Sequence, residues 1–259
     1  MFCQLNKIFT FTFVILMVNI SCGQTSLNNN IDFKIDSLIN SSISQKAFPG
    51  AQVYIKIGEE ILTNKSFGYH TYDSIVKVEN NHVYDLASLT KVLSSTIALM
   101  KLYEDFDLNL NDPVSKYFPE LKKSNKKNTT FNEVLSHTSG WTPYINHHYL
   151  LKRKKGKLKR SIIRNKKSKR FNLKVSKNLF LRESYHKKIF KRIKKSEVNT
   201  PGEYLYSGLF FFYVPRLVEK ITSQKYEDYL NGTFYQNIKN NSLGFNPSDY
   251  SNVVPTEQD

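Results

Sequence analysis

Tyr84-Asp85-Leu86-Ala87-Ser88-Leu89-Thr90-Lys91, running on into Val92 to Leu102, is the stretch whose reading decides the fold of this chain. The run after Lys91 contains no Gly or Pro, and Leu89, Val92, Leu93, Ala98, Leu99 and Leu102 recur at helical spacing, which predicts a buried helix. If that helix begins near Ala87, Ser88 lies in its first turn and Lys91 stands three residues on, roughly 5–6 Å away on the same face. A hydroxyl and an amine then share one pocket.

That pairing suits nucleophilic catalysis, because a serine hydroxyl attacks well only when a neighbouring base takes its proton. Lys91 serves as that base only when neutral. Its ordinary pKa near ~10.4 must then be lowered by burial or by a second cation. A helix start adds backbone N–H groups and a positive dipole end beside Ser88, which favour charge on an acyl oxygen. The spacing alone is not selective. Ser-x-x-Lys also occurs at Ser74/Lys77, Ser124/Lys127 and Ser184/Lys187, in polar or basic surroundings, and only Ser88/Lys91 opens a long apolar helix.

At 259 residues and 40% hydrophobic content the chain can bury a sizeable core, as one domain or one domain with a subdomain. A formal charge of +16 looks like a nucleic-acid signature until it is located. Residues 152–197 hold 21 Lys and Arg against two Glu, leaving 17 positive and 20 negative residues everywhere else. The basicity belongs to one segment. A solvated face is its simplest reading and contact with an anionic envelope surface the next; nucleic acid comes last, because export removes that partner.

Export is expected from residues 1–23: Lys7 in a short polar start, an apolar stretch from Ile8 to Val18, then small residues. Ser21-Cys22-Gly23 allows cleavage after Gly23, or lipid attachment at Cys22 with the signal ending at residue 21. The expected location is periplasmic or at the cell envelope, with a lipoprotein as the second form. Both cysteines, Cys3 and Cys22, lie in this segment, so the mature domain, 27–259, has none for a disulfide or a thiolate metal site.

Further along, Ile31 to Ile43 reads as a helix and residues 51 to 69 as a hairpin turning at Gly58-Glu59-Glu60. His70 and His82 read as exposed loop histidines. Asp112-Pro113 begins a short helix or turn that stops at Pro119, and Lys122 to Lys127 reads as a lysine-rich loop. Thr130-Phe131-Asn132-Glu133 is a capping box for a helix over Phe131 to His137, with His137 as a structural histidine at its end. Lys152 to Arg170 is too charged to fold alone, and from Val175 onward, through Leu179, Phe180, Tyr185, Ile189 and Ile193, a basic amphipathic helix fits. Pro215 interrupts the apolar run Leu209 to Val218, and a helix is expected over Ser223 to Leu230. Tyr206 carries a phenol that a neighbouring cation would ionise.

Four pieces occur together in the order and rough spacing seen in class C β-lactamase-like serine hydrolases. They are Tyr84 to Lys91, Asp112-Pro113-Val114, Leu135-Ser136-His137-Thr138-Ser139-Gly140, and Pro201-Gly202-Glu203-Tyr204-Leu205-Tyr206-Ser207. That family includes penicillin-binding DD-peptidases and esterases. The later part, through Val254-Pro255-Thr256-Glu257-Gln258-Asp259, resembles serine-hydrolase modules fused behind family 3 glycoside hydrolases. The resemblance covers about residues 31–259. It implies an α/β (α+β) fold with an antiparallel sheet, flanking helices and a helical subdomain, interrupted here by a basic insertion at 152–197.

It further implies Ser88 as acylated nucleophile, Lys91 as its proton partner and Tyr206 as second base. The substrate class is a small-molecule or peptide-like amide or ester, of the β-lactam or D-alanyl cell-wall peptide kind, with no metal or cofactor. Two departures stand out. Gly208 occupies the place where the family has Asn or Asp, so no side chain is there to hold a substrate amide or orient Lys91. The third family motif, Lys-Thr-Gly or His-x-Gly on a late strand, falls downstream of Asp259, so the late strands are expected to be missing and the chain to be C-terminally truncated. A catalytically inactive binding protein, a truncated fragment of the enzyme and a surface-adhesion module on the basic segment are the alternatives.

Overall fold

The computed structural model of the chain describes residues 31–256 apart from 148, 154–155, 239–241, 246 and 248–249. The expected export signal, with Lys7, Cys3 and Cys22, and the final Glu257-Gln258-Asp259 lie outside the described residues. The chain divides into two compact units, Met1–Asp85 with Ser251–Asp259, and Leu86–Tyr250.

In the first unit, residues 31–44 are helical (α1). Lys65 ties that helix to the following hairpin through Asp36 at 3.0 Å and Asp32 at 3.4 Å. The hairpin is β1 (Gly50–Ile57) against β2 (Glu60–Gly68), antiparallel, with a register shift between Ile55 and Lys56. Gly58, at φ 59°, supplies the left-handed residue its tight turn needs. A short parallel pair, β3 (Val83–Tyr84) with β7 (Val253–Val254), was not legible from two-residue runs. The two histidines depart from expectation. His70 is buried, and its Nε2 lies 2.8 Å from His82 Nδ1, which also accepts the Glu79 N–H. Burial first, and His82 second, hold His70 below the ordinary histidine range.

The second unit has the larger core. Leu102, Leu108, Val114, Phe118, Leu121, Phe131, Trp141, Ile193, Phe210, Tyr213, Leu217 and Leu230 are buried together in it. The opening helix is not one regular piece. A 3-10 turn (Ala87–Leu89) passes into a π-helical stretch (Lys91–Thr96) and then into α2 (Ile97–Asp105). Ala98, Leu99 and Leu102 are buried as expected, whereas Leu89 and Val92 are 59% and 58% exposed. Ser94 and Ser95 take the inward positions instead. Their hydroxyls are satisfied by Thr90 O at 2.9 Å and Tyr226 Oη at 3.3 Å. The physical reason is that the helix changes form twice, from a 3-10 turn to a π stretch to α2, and neither of the first two keeps the 3.6-residue register on which the apolar face was read.

The capping box forms as read. Thr130 Oγ1 accepts the Glu133 N–H at 3.2 Å, and a Glu133 carboxylate oxygen accepts the Thr130 N–H at 2.7 Å. The helix it starts, α3 (Phe131–Leu135), ends two residues before His137. The lysine-rich loop is more ordered than expected. Pro119–Lys123 form a 3-10 helix, and Lys126 is wholly buried, its ammonium bonded to Asn125 Oδ1 and Ser196 O and set 5.5 Å from the Trp141 ring centre. Burial pushes its pKa down to about 8.

The basic segment folds differently from its sequence pattern. A three-stranded antiparallel sheet orders β4 (Ile163–Arg164), β6 (Leu179–Arg182) and β5 (Phe171–Ser176) with β6 in the middle. Val175, Leu179 and Phe180 therefore lie in strands, and the amphipathic helix begins later, as α4 (Glu183–Lys195). Ile163, Phe171 and Leu181 are buried, so even the charged block contributes to packing. Pro215, which interrupts the apolar run, stands in the first turn of α5 (Val214–Thr222), where its missing N–H has no partner to lose. Ser223, left-handed at φ 58°, ends α5, and α6 follows over Tyr226–Thr233. Arg216 on α5 pairs with Glu120 at 2.6 Å and lies 4.6 Å from the centre of the Phe190 ring.

Candidate active site

The structure brings Ser88, Lys91 and Tyr206 together. Lys91 Nζ donates to Ser88 Oγ at 2.9 Å, and Tyr206 Oη donates to the same oxygen at 3.2 Å. The local helix form explains the first contact. Ser88 lies in the 3-10 turn and Lys91, three residues on, opens the π-helical stretch, so the two side chains leave the same side of the chain. Ala87, just before Ser88, is held at φ 43°, a left-handed conformation that costs a residue with a Cβ on the order of 1 kcal/mol.

Tyr206 reaches the serine from 118 residues away, and a ladder of backbone contacts fixes its approach. Asn199 N–H bonds to Gly140 O at 2.6 Å, Gly202 N–H to Thr138 O at 2.8 Å, Leu205 N–H to His137 O at 2.8 Å and Gly208 N–H to Pro143 O at 3.1 Å. Ser207 Oγ adds a bond to Thr142 O at 2.8 Å. The two segments are thus laced together on both sides of Tyr206. Gly140 is required for this closeness: it sits at φ 68°, and a Cβ there would stand 2.5 Å from Asn199 O. Trp141 anchors the lacing in the core through its indole N–H, bonded to Thr129 Oγ1 at 3.1 Å.

The electrostatics follow from this packing. Lys91 beside the phenol, followed by the contact with Ser88, holds Tyr206 below the ordinary tyrosine range. Lys91 Nζ lies 5.4 Å from the Tyr206 ring centre and 5.6 Å from that of Phe211, within cation–π range of both rings. Phe211 was not singled out from the sequence. It stands in the run Phe210-Phe211-Phe212, where nothing marks one ring from the next.

His137 sits against this group. Its ring centre is 4.5 Å from that of Tyr206, and its Nδ1 accepts the Ser207 N–H at 3.3 Å, which places its own proton on Nε2. Burial first, then the charge of Lys91, lower its pKa, so the ring is neutral near pH 7. Gly208 leaves one side of Lys91 bare: a Cβ built there meets Lys91 Cε at 3.5 Å and Nζ at 3.7 Å.

Helices carrying small sheets, mixed α and β, form a β-lactamase-like fold, and solved structures of that class superpose on the chain. EstCE1, "a hydrolase with promiscuous acyltransferase activity", matches over 88% of this chain and 56% of its own with a TM-score of 0.63 at 17% identity. The Beta-lactamase family profile matches residues 35–252, and the chain belongs to that family. Among curated relatives, "Protein flp" of Staphylococcus aureus (strain COL) is 25% identical over 228 residues, 86% of this chain and 40% of its own length. A "Putative D-alanyl-D-alanine carboxypeptidase" of Salmonella schwarzengrund (strain CVM19633) is 25% identical over 247 residues, 90% of this chain and 51% of its own. The chain therefore spans about half the length, or less, of these relatives.

Proposed function

We propose that the chain is an exported serine hydrolase that acts through an acyl-enzyme on a peptide-like amide or ester, of the β-lactam or D-alanyl cell-wall peptide class. The observation that carries this reading is the convergence of two proton-handling groups on one hydroxyl, Lys91 at 2.9 Å and Tyr206 at 3.2 Å from Ser88 Oγ. The lowered pKa of Tyr206 gives the division of labour. Its phenolate, stabilised by the Lys91 ammonium, takes the Ser88 proton as Oγ bonds to the substrate's acyl carbon. When the bond from that carbon to the leaving nitrogen or oxygen breaks, the phenol returns the proton to the departing group. Water, deprotonated by the same phenolate, then releases the acyl group and restores Ser88. Membership of a family that acts on small-molecule or peptide substrates supports the substrate class, and the apolar stretch Ile8 to Val18 supports export.

Labelling the chain with a fluorescent penicillin and a fluorophosphonate tests the reading. An adduct mapped to Ser88 is expected, and its absence with both probes would refute acyl-enzyme chemistry. Fractionation of the producing cell, with the chain recovered outside the cytoplasm, tests export. Gly208 favours a second reading, a binding protein that holds a wall peptide without being acylated. Reversible ligand binding together with an unlabelled Ser88 would identify it.

A further inference from the structure

The second unit carries a basic groove that the hydrolase reading does not use. Its volume is about 520 Å³, and it is lined by Ile145, Lys188, Lys191, Arg192, Lys195 and Ser196. The four cations stand at helical spacing along one face of α4, covering about 10 Å of helix at ~1.5 Å per residue. Like charges three and four residues apart disfavour a helix by a few tenths of a kcal/mol per pair. Among the described residues none of Lys188, Lys191, Arg192 or Lys195 has a carboxylate partner, whereas Lys187, on the same helix but outside the groove, pairs with Glu183 at 3.0 Å.

The walls of the groove are fixed. Arg192 donates to Tyr185 Oη at 3.1 Å, and Tyr185 in turn donates to His147 O at 2.8 Å, which ties α4 to the segment carrying Ile145. Behind Ser196, the buried Lys126 ammonium bonds to Ser196 O and adds a fifth positive charge. The groove is thus an open, positively charged trough.

We propose that this groove binds a non-aromatic polyanion with phosphodiester or phosphate groups along its length, as an acidic envelope polymer would offer. The proposal goes beyond the hydrolase reading and stands without it. Two features separate this partner from other anionic ones. A helix that docks on a membrane inserts an apolar face among the head groups, but the apolar face of α4 is turned inward: Tyr185, Ile189 and Ile193 are buried in the protein core and Phe190 packs half-buried against it. Single-stranded nucleic acid is held by stacking its bases on aromatic side chains, and among the described residues no aromatic side chain lines the groove.

The test measures binding of inorganic polyphosphate to the chain, with oligothymidylate of matched charge and phosphatidylglycerol vesicles as rival probes. Two triple variants lose the same charge, K188Q/K191Q/K195Q in the groove and K166Q/K167Q/K169Q outside it. Thermal unfolding of each variant shows whether the fold is kept, and the single substitution R192Q reads the same site if the groove triple is unstable. Polyphosphate binding is expected to weaken at least about 10-fold in the groove triple and less than about 3-fold in the other, and the groove triple is expected to lower the slope of log affinity against log salt by about 2. Equal losses in the two triples, an R192Q affinity equal to that of the parent, or tighter binding to oligothymidylate or vesicles than to polyphosphate would overturn the proposal.

Discussion

Ser88–Lys91 and Ser184–Lys187 have the same spacing, and each lies at the start of a helical segment, yet the structure gives them opposite fates. At the first, the lysine turns onto the serine at 2.9 Å. At the second, Lys187 is 76% exposed and its ammonium goes to Glu183 at 3.0 Å, one α-helical turn back. Two physical differences separate them. Ser88 and Lys91 straddle the change from a 3-10 turn to a π-helical stretch, whereas Ser184 and Lys187 lie within the regular helix α4, which also offers partners four apart. The first pair also receives Tyr206 from a distant segment, and the second meets a carboxylate that neutralises its cation. Spacing makes such a pair available, and the neighbours decide its chemistry.

The sharpest way to break this contrast is to remove each hydroxyl in turn. S88A is expected to lower acylation by a fluorescent penicillin at least about 10³-fold, as loss of a serine nucleophile does, while S184A leaves it unchanged. Mass mapping of the adduct reads the result directly. Y206F removes the proposed base and is expected to cost about 10²–10⁴-fold in the acylation rate, the range of a general base, with unfolding temperature little altered.

A pH profile sharpens the comparison further. Because Lys91 holds Tyr206 below its ordinary value of 10.0, the acylation rate is expected to rise with pH as the phenolate forms, with the midpoint of that limb below 10.0. In K91Q that limb should move upward toward 10, on top of a lower plateau. A limb that stays in place would show that Lys91 does not set the ionisation of Tyr206.

G208N tests whether the bare side of Lys91 matters. A Cβ there meets Lys91 at ordinary contact distances, so the first atom of the new side chain is accommodated, and the substitution is expected to raise acylation by amide probes by roughly 10-fold, the worth of about one hydrogen bond. The smallest effect belongs to the second pair. E183Q frees Lys187, and with both groups exposed it should lower stability by no more than about 0.5 kcal/mol and produce no labelling at Ser184.

The legible parts of this chain were those written in neighbouring residues. The capping box at Thr130 needs only Glu133 three positions on, and the hairpin over Gly50–Gly68 needs only alternation and a turn glycine. The family fold was legible because several short motifs occur in a fixed order, which no single motif conveys. Errors came where contacts across the chain override local pattern. Lys126 looked like any lysine in a polar loop, but Trp141 and Ser196, 15 and 70 residues away, bury it. Val175 and Leu179 looked helical by periodicity, but β6 finds partners on both sides and draws them into strands.

Sequence by itself determined that a serine, a lysine one turn on and a tyrosine 118 residues away belong to a β-lactamase-like chain, and that its positive charge is confined to one segment. Tertiary structure alone decided that the three side chains meet at one oxygen, that Ser94 and Ser95 rather than Val92 face the core, and that four cations of α4 line one groove. The reason is that residue type and spacing fix what a side chain can do within its own turn of chain. Which partner it finds depends on packing among segments far apart in sequence, where a change of helix form or a single buried contact redirects it.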